Sequence, residues 1–260
     1  MRADAPPGFV RFTAARSEVV CAEHVADALR TALAHGTLYQ YAESHTHSRP
    51  LMGRGVVHAV PLPGDVERVV IRHNRHGGLL APLTRDLFLA PTRAPRELLY
   101  SERLHEYGVP TPRMLGYVLY DALPGFKRVD VVTREVPNSF DLAVAFMSDD
   151  VALRTRAIVA TTDLLVTMAV VGARHIDLNV KNILLHAGPG SSLAAMVLDV
   201  DRVVFDEPEI VFDLNLERLL RSARKWQTLH GARLTDAELD ELAGSVRERR
   251  PPPMPLSTSS

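Results

Sequence analysis

Two short stretches in the second half of the chain carry the residue types and spacing that phosphoryl transfer requires. The first is His175-Ile-Asp177-Leu-Asn-Val-Lys-Asn182, an aspartate followed five positions later by an asparagine. Phosphoryl transfer asks little covalent chemistry of a protein. It needs a carboxylate that orients the attacking hydroxyl and accepts its proton, and oxygen donors for the Mg2+ that bridges the phosphates. Asp177 suits the first task and Asn182 the second. The second stretch, Met196-Val-Leu-Asp199, ends an apolar run on a carboxylate suited to be a further Mg2+ ligand. Either stretch alone reads equally well as a turn or strand end capped by Asp or Asn. The two in this order, the first leading into the strand-like run Ile183-Leu184-Leu185, favour phosphoryl transfer. His175 reads as a ring that fixes the loop by hydrogen bonds. Lys181 and Asn179 lie inside the loop, where a side chain can approach the transferred phosphate.

The first half offers a second constellation. Gly53-Arg54-Gly55 enters an alternating apolar run, and glycines there let backbone amides lie close over nucleotide phosphates; an ordinary hairpin turn asks for the same residues. One strand later, Arg68-Val-Val-Ile-Arg72 ends on a cation. Glu97, on the next helical stretch, is placed to pair with Arg72, whose planar fork can engage a carboxylate and a phosphate together. The bland alternative is a surface ion pair of little value. No lysine precedes Lys127, so a phosphate-gripping cation in this half must be arginine or histidine. The cluster Arg72, His73, Arg75 and His76 beside Gly77-Gly78 reads equally as an anion grip and as a solvated basic loop.

These groups need a scaffold. Ala22 to Leu33 has helical apolar spacing, and the segments Gly53 to Val60 and Arg68 to Arg72 flank a Pro-Gly-Asp turn, which predicts a hairpin. A helix is expected from Ala94 to Tyr107, then strands over Met114 to Leu119 and Arg128 to Val136. Beyond Pro137 the pattern turns helical: Ser139 to Met147, the long apolar Val151 to Val171, and Leu214 to Leu229. The expected layout is α+β and bilobal, with an N-terminal sheet lobe over residues 1–136 and a mainly helical lobe over 137–250. Residues 251–260, PPPMPLSTSS, have the composition of a disordered tail.

The 260 residues can bury a sizeable core, and 46% hydrophobic with 23% charged residues is ordinary for a globular protein. A net charge of −1 argues against a nucleic-acid partner, and the single Cys21 excludes an internal disulfide. No apolar run is long enough to span a bilayer and the first residues lack a signal-peptide core, so a cytoplasmic chain is expected. On the last long helix Leu216, Leu219, Leu220, Ala223 and Trp226 share a face, with Arg218, Arg221, Arg224 and Lys225 beside it. Such a stripe is a core-packed helix with a charged outer face, or a surface that attracts anionic lipid.

Taken together the motifs resemble a known family, the lipopolysaccharide core kinases, and among them most closely the 3-deoxy-D-manno-octulosonic acid (Kdo) kinases. The resemblance rests on Gly53-Arg54-Gly55, Ile71 to Gly78, Arg96-Glu97, Gly108-Val-Pro-Thr-Pro112 and Thr133-Arg134-Glu135. It continues through Asp177-Leu178-Asn179, Asn182-Ile183-Leu184, Leu198 to Arg202 and Arg218 to Ser222. It implies a protein-kinase-like fold, ATP and Mg2+ as cofactors, and transfer to a Kdo hydroxyl on lipid A or a related precursor. The place would be the cytoplasmic face of the inner membrane, with the chain peripheral on it. On that reading Arg72 replaces the phosphate-binding lysine, Glu97 is its partner, and Glu135 with Val136 lies at the interlobe hinge. Two departures stand out: Asp199-Val-Asp201 lacks the glycine of the usual metal-binding motif, and Lys181 stands where a histidine is expected. A heptose kinase, another small-molecule kinase and a non-catalytic pseudokinase are the competing readings.

Overall fold

Two six-residue runs rich in β-branched and aromatic residues come first: Phe9–Ala14 (β1) pairs with Ser17–Ala22 (β2) as an antiparallel hairpin. The computed structural model describes residues 5–14, 16–51, 57–65, 67–74 and 86–250. The chain divides into two compact units, Met1–Glu102 with Pro112–Glu135, and Arg103–Thr111 with Val136–Ser260.

The first unit is built on one antiparallel sheet. Its further strands are Arg49–Leu51 (β3), Val57–Pro61 (β4), Arg68–His73 (β5), Phe88–Leu89 (β6), Met114–Leu123 (β7) and Phe126–Arg134 (β8), in the order β1-β2-β7-β8-β5-β4-β3 with β6 also on β8. The sheet is larger than the strands legible in the sequence, because the β1–β2 hairpin adds to the β7 edge. Gly116 permits that addition: a Cβ there would lie 2.4 Å from the Val20 carbonyl oxygen. Helices Ala26–Ala32 (α1), Leu38–Ser44 (α2) and Ala94–Glu106 (α3) accompany the sheet. Leu29, Leu38 and Leu98 from these helices join Val20, Val60, Ile71, Leu115, Val118 and Val132 in one buried cluster. Cys21 belongs to it, and burial pushes its thiol up to about 11.

A polar knot crosses this core. Asp130 on β8 is fully buried and accepts hydrogen bonds from the Tyr39 amide at 3.0 Å and the Tyr120 hydroxyl at 2.8 Å. The His73 ring lies 2.6 Å from Asp130 Oδ1 through Nδ1 and 3.1 Å from Asp86 Oδ2 through Nε2. Burial opposes a charge on this ring, yet the two carboxylates, Asp130 foremost, win and raise its pKa. The knot fixes the end of β5, the strand that carries Arg72.

The second unit is mainly helical. Leu142–Met147 (α4) is capped by Asp141, which accepts from the Val144 amide at 3.1 Å. Val151–Val170 (α5), capped by Asp150, buries Ile158, Leu164, Leu165 and Met168. Pro208–His230 (α6) begins with proline at its first turn, where the missing N–H costs nothing, and ends on Gly231 at φ 66°. Asp236–Glu248 (α7) was not anticipated, although Thr235-x-x-Glu238 forms a reciprocal capping box at its start. Arg154 of α5 ties α7 down by donating to Glu238 at 2.8 Å and to the Ser148 carbonyl at 2.8 Å.

Two small strand groups hold the loops of this unit, built from Phe140–Asp141 (β9), Ala173–His175 (β10), Ile183–Ala187 (β11), Leu193–Val197 (β12) and Val203–Phe205 (β13). β9, β11 and β12 form one antiparallel sheet, and β10 pairs with β13. The helix expected from Ser139 starts three residues later because Phe140 and Asp141 are taken by pairing with Leu185 and Leu184. Among the described residues no helix is long and apolar enough to cross a membrane. The expected tail over 251–260 lies outside the described residues.

Candidate active site

The loop from His175 to Asn182 is held at both ends by strands and in the middle by its own side chains. His175 is fully buried; its backbone amide donates to Asn215 Oδ1 at 3.0 Å. Its Nδ1 accepts from the Asp177 amide at 3.2 Å, so Nε2 carries the proton and donates to the Leu198 carbonyl at 3.0 Å. Burial lowers its pKa, which keeps the ring neutral and this tautomer in place. One ring thereby connects the residue before Asp199 to the aspartate of the loop.

Asn182 is buried, and its Nδ2 donates to the Asp177 carbonyl at 2.9 Å. That leaves the amide oxygen, the atom a hard cation prefers, for another partner. Asn179 spends its side chain inside the loop: Nδ2 donates to the Asp177 carbonyl at 2.8 Å and Oδ1 accepts from the Lys181 amide at 2.9 Å. It shapes the loop rather than reaching for a phosphate. The Val180 amide donates to Ser222 Oγ on α6 at 3.2 Å. Asp177 itself is exposed.

The two halves of the motif meet because β11 and β12 pair with Ile183 opposite Val197. The next pair outward is Asn182 with Leu198, whose amide donates to the Asn182 carbonyl at 2.9 Å. Asp199 follows at once, in the left-handed conformation with φ 53° and ψ 48°. Few residues other than glycine take this conformation, Asp among them. It turns the chain sharply from β12 into a single 3-10 turn, Val200–Arg202.

Asn182 and Asp199 supply oxygen donors suited to Mg2+. Among the described residues no group of three or more His, Cys, Asp or Glu is placed to hold a metal. Two protein oxygens are the right complement for an ion that takes its other ligands from phosphate and water.

In the first unit Arg72 Nη2 donates to Glu97 Oε1 at 2.5 Å, joining β5 to α3. Glu97 is buried, whereas about a third of the Arg72 side chain is exposed (35%). Glu135 accepts from Arg49 at 2.6 Å and from Arg68 at 2.7 Å. It is the last residue of the first unit, and Val136 is the first of the second stretch of the other. Gly53, Gly55 and the basic positions Arg75 to Gly78 lie outside the described residues.

One arrangement was not legible in the sequence. Lys181 Nζ donates to Asp141 Oδ2 at 2.7 Å and stands 5.4 Å from the centroid of the Trp226 ring. The spacing of Lys181 within the loop was visible; its partners, 40 and 45 residues away, were not.

Residues 54–243 match the lipopolysaccharide kinase (Kdo/WaaP) family. The chain belongs to that family. The 3-deoxy-D-manno-octulosonic acid kinase of Vibrio vulnificus (strain CMCP6) is 28% identical over 178 residues, 66% of this chain and 71% of the relative. The enzyme of the same name from Actinobacillus succinogenes is 28% identical over 176 residues, covering 66% and 72%. A solved structure described as WaaP in complex with acyl carrier protein is similar with a TM-score of 0.51 at 18% identity, over 86% of this chain and 87% of that one. The fold is thus protein-kinase-like, as expected for the family.

Proposed function

We propose that this chain is an ATP-dependent kinase that phosphorylates a Kdo hydroxyl of a lipid A-linked lipopolysaccharide precursor. The observation that carries the reading is the hairpin register that sets Asn182 beside Leu198-Asp199, with neutral His175 bonded to both the Asp177 amide and the Leu198 carbonyl. Asp177 orients the acceptor hydroxyl and takes its proton. Asn182 and Asp199 hold Mg2+, which when bound neutralises charge on the transferring phosphate. Arg72, fixed by Glu97, contacts the ATP phosphates in place of a lysine, and Gly53 and Gly55 are candidate backbone contacts to them. Glu135 and Val136 are the candidate contacts to the nucleotide base. Such an enzyme works on the cytoplasmic face of the inner membrane, as a peripheral protein, because its acceptor is anchored there.

The deciding experiment is transfer of γ-phosphate from ATP to Kdo-lipid A, run beside a heptosylated core. Label on the Kdo acceptor alone supports the proposal. Label on the heptosylated acceptor alone makes the chain a heptose kinase. Nucleotide binding without transfer to either acceptor identifies a pseudokinase and ends the reading.

A further inference from the structure

Several cations of the second unit are neutralised by a carboxylate. Arg154 pairs with Glu238, Arg174 with Asp206, Lys181 with Asp141, Arg233 with Asp149, Arg249 with Asp163 and Arg250 with Asp213. Arg218, Arg221, Arg224 and Lys225 of α6 and Arg247 of α7 have no such ion pair among the described residues. Three of them, Arg221, Arg224 and Arg247, line an open hollow of about 370 Å3 with Leu220 and Glu217.

This crowding is unfavourable in the free protein. Arg218, Arg221, Arg224 and Lys225 stand three or four residues apart on one helix, where like charges destabilise it, and Arg247 adds to them from the neighbouring helix. Glu217 is the single carboxylate in the lining. An anion in the hollow would remove the repulsion. Arginine forks bind phosphate oxygens in pairs, and Leu220 supplies an apolar wall.

The location matters as well. Ser222 and Trp226 of the same helical segment face the catalytic loop through Val180 and Lys181. A helix is only about 10–12 Å across with its side chains, so the hollow lies within a lipid headgroup's distance of that loop. We propose that Arg221, Arg224 and Arg247 form a binding site for the phosphate of an anionic lipid headgroup, which seats the chain on a lipid surface next to its catalytic loop. The inference rests on the reading of the chain as a kinase of a lipid-linked acceptor, and it names the surface that meets the lipid.

The test is co-sedimentation of the full chain with vesicles of phosphatidylcholine, alone and with added phosphatidylglycerol, in the absence of ATP and acceptor. Binding should require phosphatidylglycerol and fall with salt. Arg221→Gln, Arg224→Gln and Arg247→Gln combined should weaken it on the order of a hundredfold. Arg30→Gln, Arg113→Gln and Arg156→Gln combined, an equal charge loss elsewhere, should weaken it far less. Equal loss in the two triple variants, or no loss in either, overturns the site. In a second arm inorganic phosphate competes with the vesicles. Displacement at micromolar phosphate would mean a free-phosphate site and overturn the lipid assignment; persistence of vesicle binding supports it. The kinase reading is tested apart from this, by turnover of the unaltered chain on detergent-dispersed Kdo-lipid A.

Discussion

Arg72 at the end of β5 and Glu97 in the first turns of α3 are joined at 2.5 Å, with the carboxylate buried and the guanidinium partly exposed. Removing one partner of such a pair strands the other, so each side chain is informative. Arg72→Ala should lower kcat/KM more than about tenfold. Arg72→Lys keeps the charge, loses the two-pronged geometry and should recover only part of the activity. Glu97→Gln should act in the same direction. Full activity in Arg72→Ala would remove it from the phosphate site and shift attention to Arg75.

Asp177 and Asp199 sit in the same unit but are expected to differ in what their loss does. Asp199→Ala should abolish transfer and weaken Mg-ATP binding. Asp177→Ala should abolish transfer with ATP affinity nearly intact, because the role proposed for it is at the acceptor. Calorimetric titration of both variants separates the roles; equal loss of nucleotide affinity contradicts them.

His73 and His175 should give the stability–pH curve two components of opposite sign. His73 has a folded pKa raised by Asp130 and Asp86 against the effect of burial. Its contribution is full below the unfolded value near 6.5 and is lost as pH rises through the raised value. His175 has a folded pKa lowered by burial, so its contribution is full above about 6.5 and declines as pH falls from there. Each slope is at most about 1.4 kcal/mol per pH unit. Urea unfolding of His73→Gln should show its largest deficit below pH 6.5. His175→Asn should flatten the acid limb. Parallel curves for all three proteins would refute both assignments.

Gly172 precedes the β10 strand that leads into the His175–Asn182 loop. It has φ 69°, and a Cβ would lie 2.2 Å from the Asp206 carbonyl oxygen. Gly172→Ala combines a left-handed backbone with a clash against backbone, and should destabilise the chain by about 2–3 kcal/mol or displace β13. An unchanged urea midpoint would show that the β10–β13 turn adjusts freely.

The sequence by itself determined the chemistry on offer and most of the local elements. Asp177 and Asn182, with Asp199 downstream, stand out as candidates because phosphoryl transfer needs those donor types at fixed spacing. The long helices were legible through their apolar period, whereas their starts were not, and the helix that the Thr235 capping box begins is absent from the sequence expectation. The β1 and β2 strands, FVRFTA and SEVVCA, do not alternate, and such a six-residue run has no meaning as a strand until a sheet edge receives it.

Only the tertiary structure decided what those residues do to one another. Local spacing says nothing of register, and it is the Ile183–Val197 register that carries Asn182 to Leu198 and Asp199. Burial, which no spacing reports, lowers the His175 pKa and holds that ring neutral in one tautomer, whereas the carboxylates of Asp130 and Asp86 raise the His73 pKa against the effect of burial. The arginine hollow likewise needs α6 and α7 packed side by side, since Arg247 is 23 residues from Arg224 in the chain. Periodicity encodes which face of an element is apolar; the partner of that face, and the charges it brings along, are selected by packing over the whole unit.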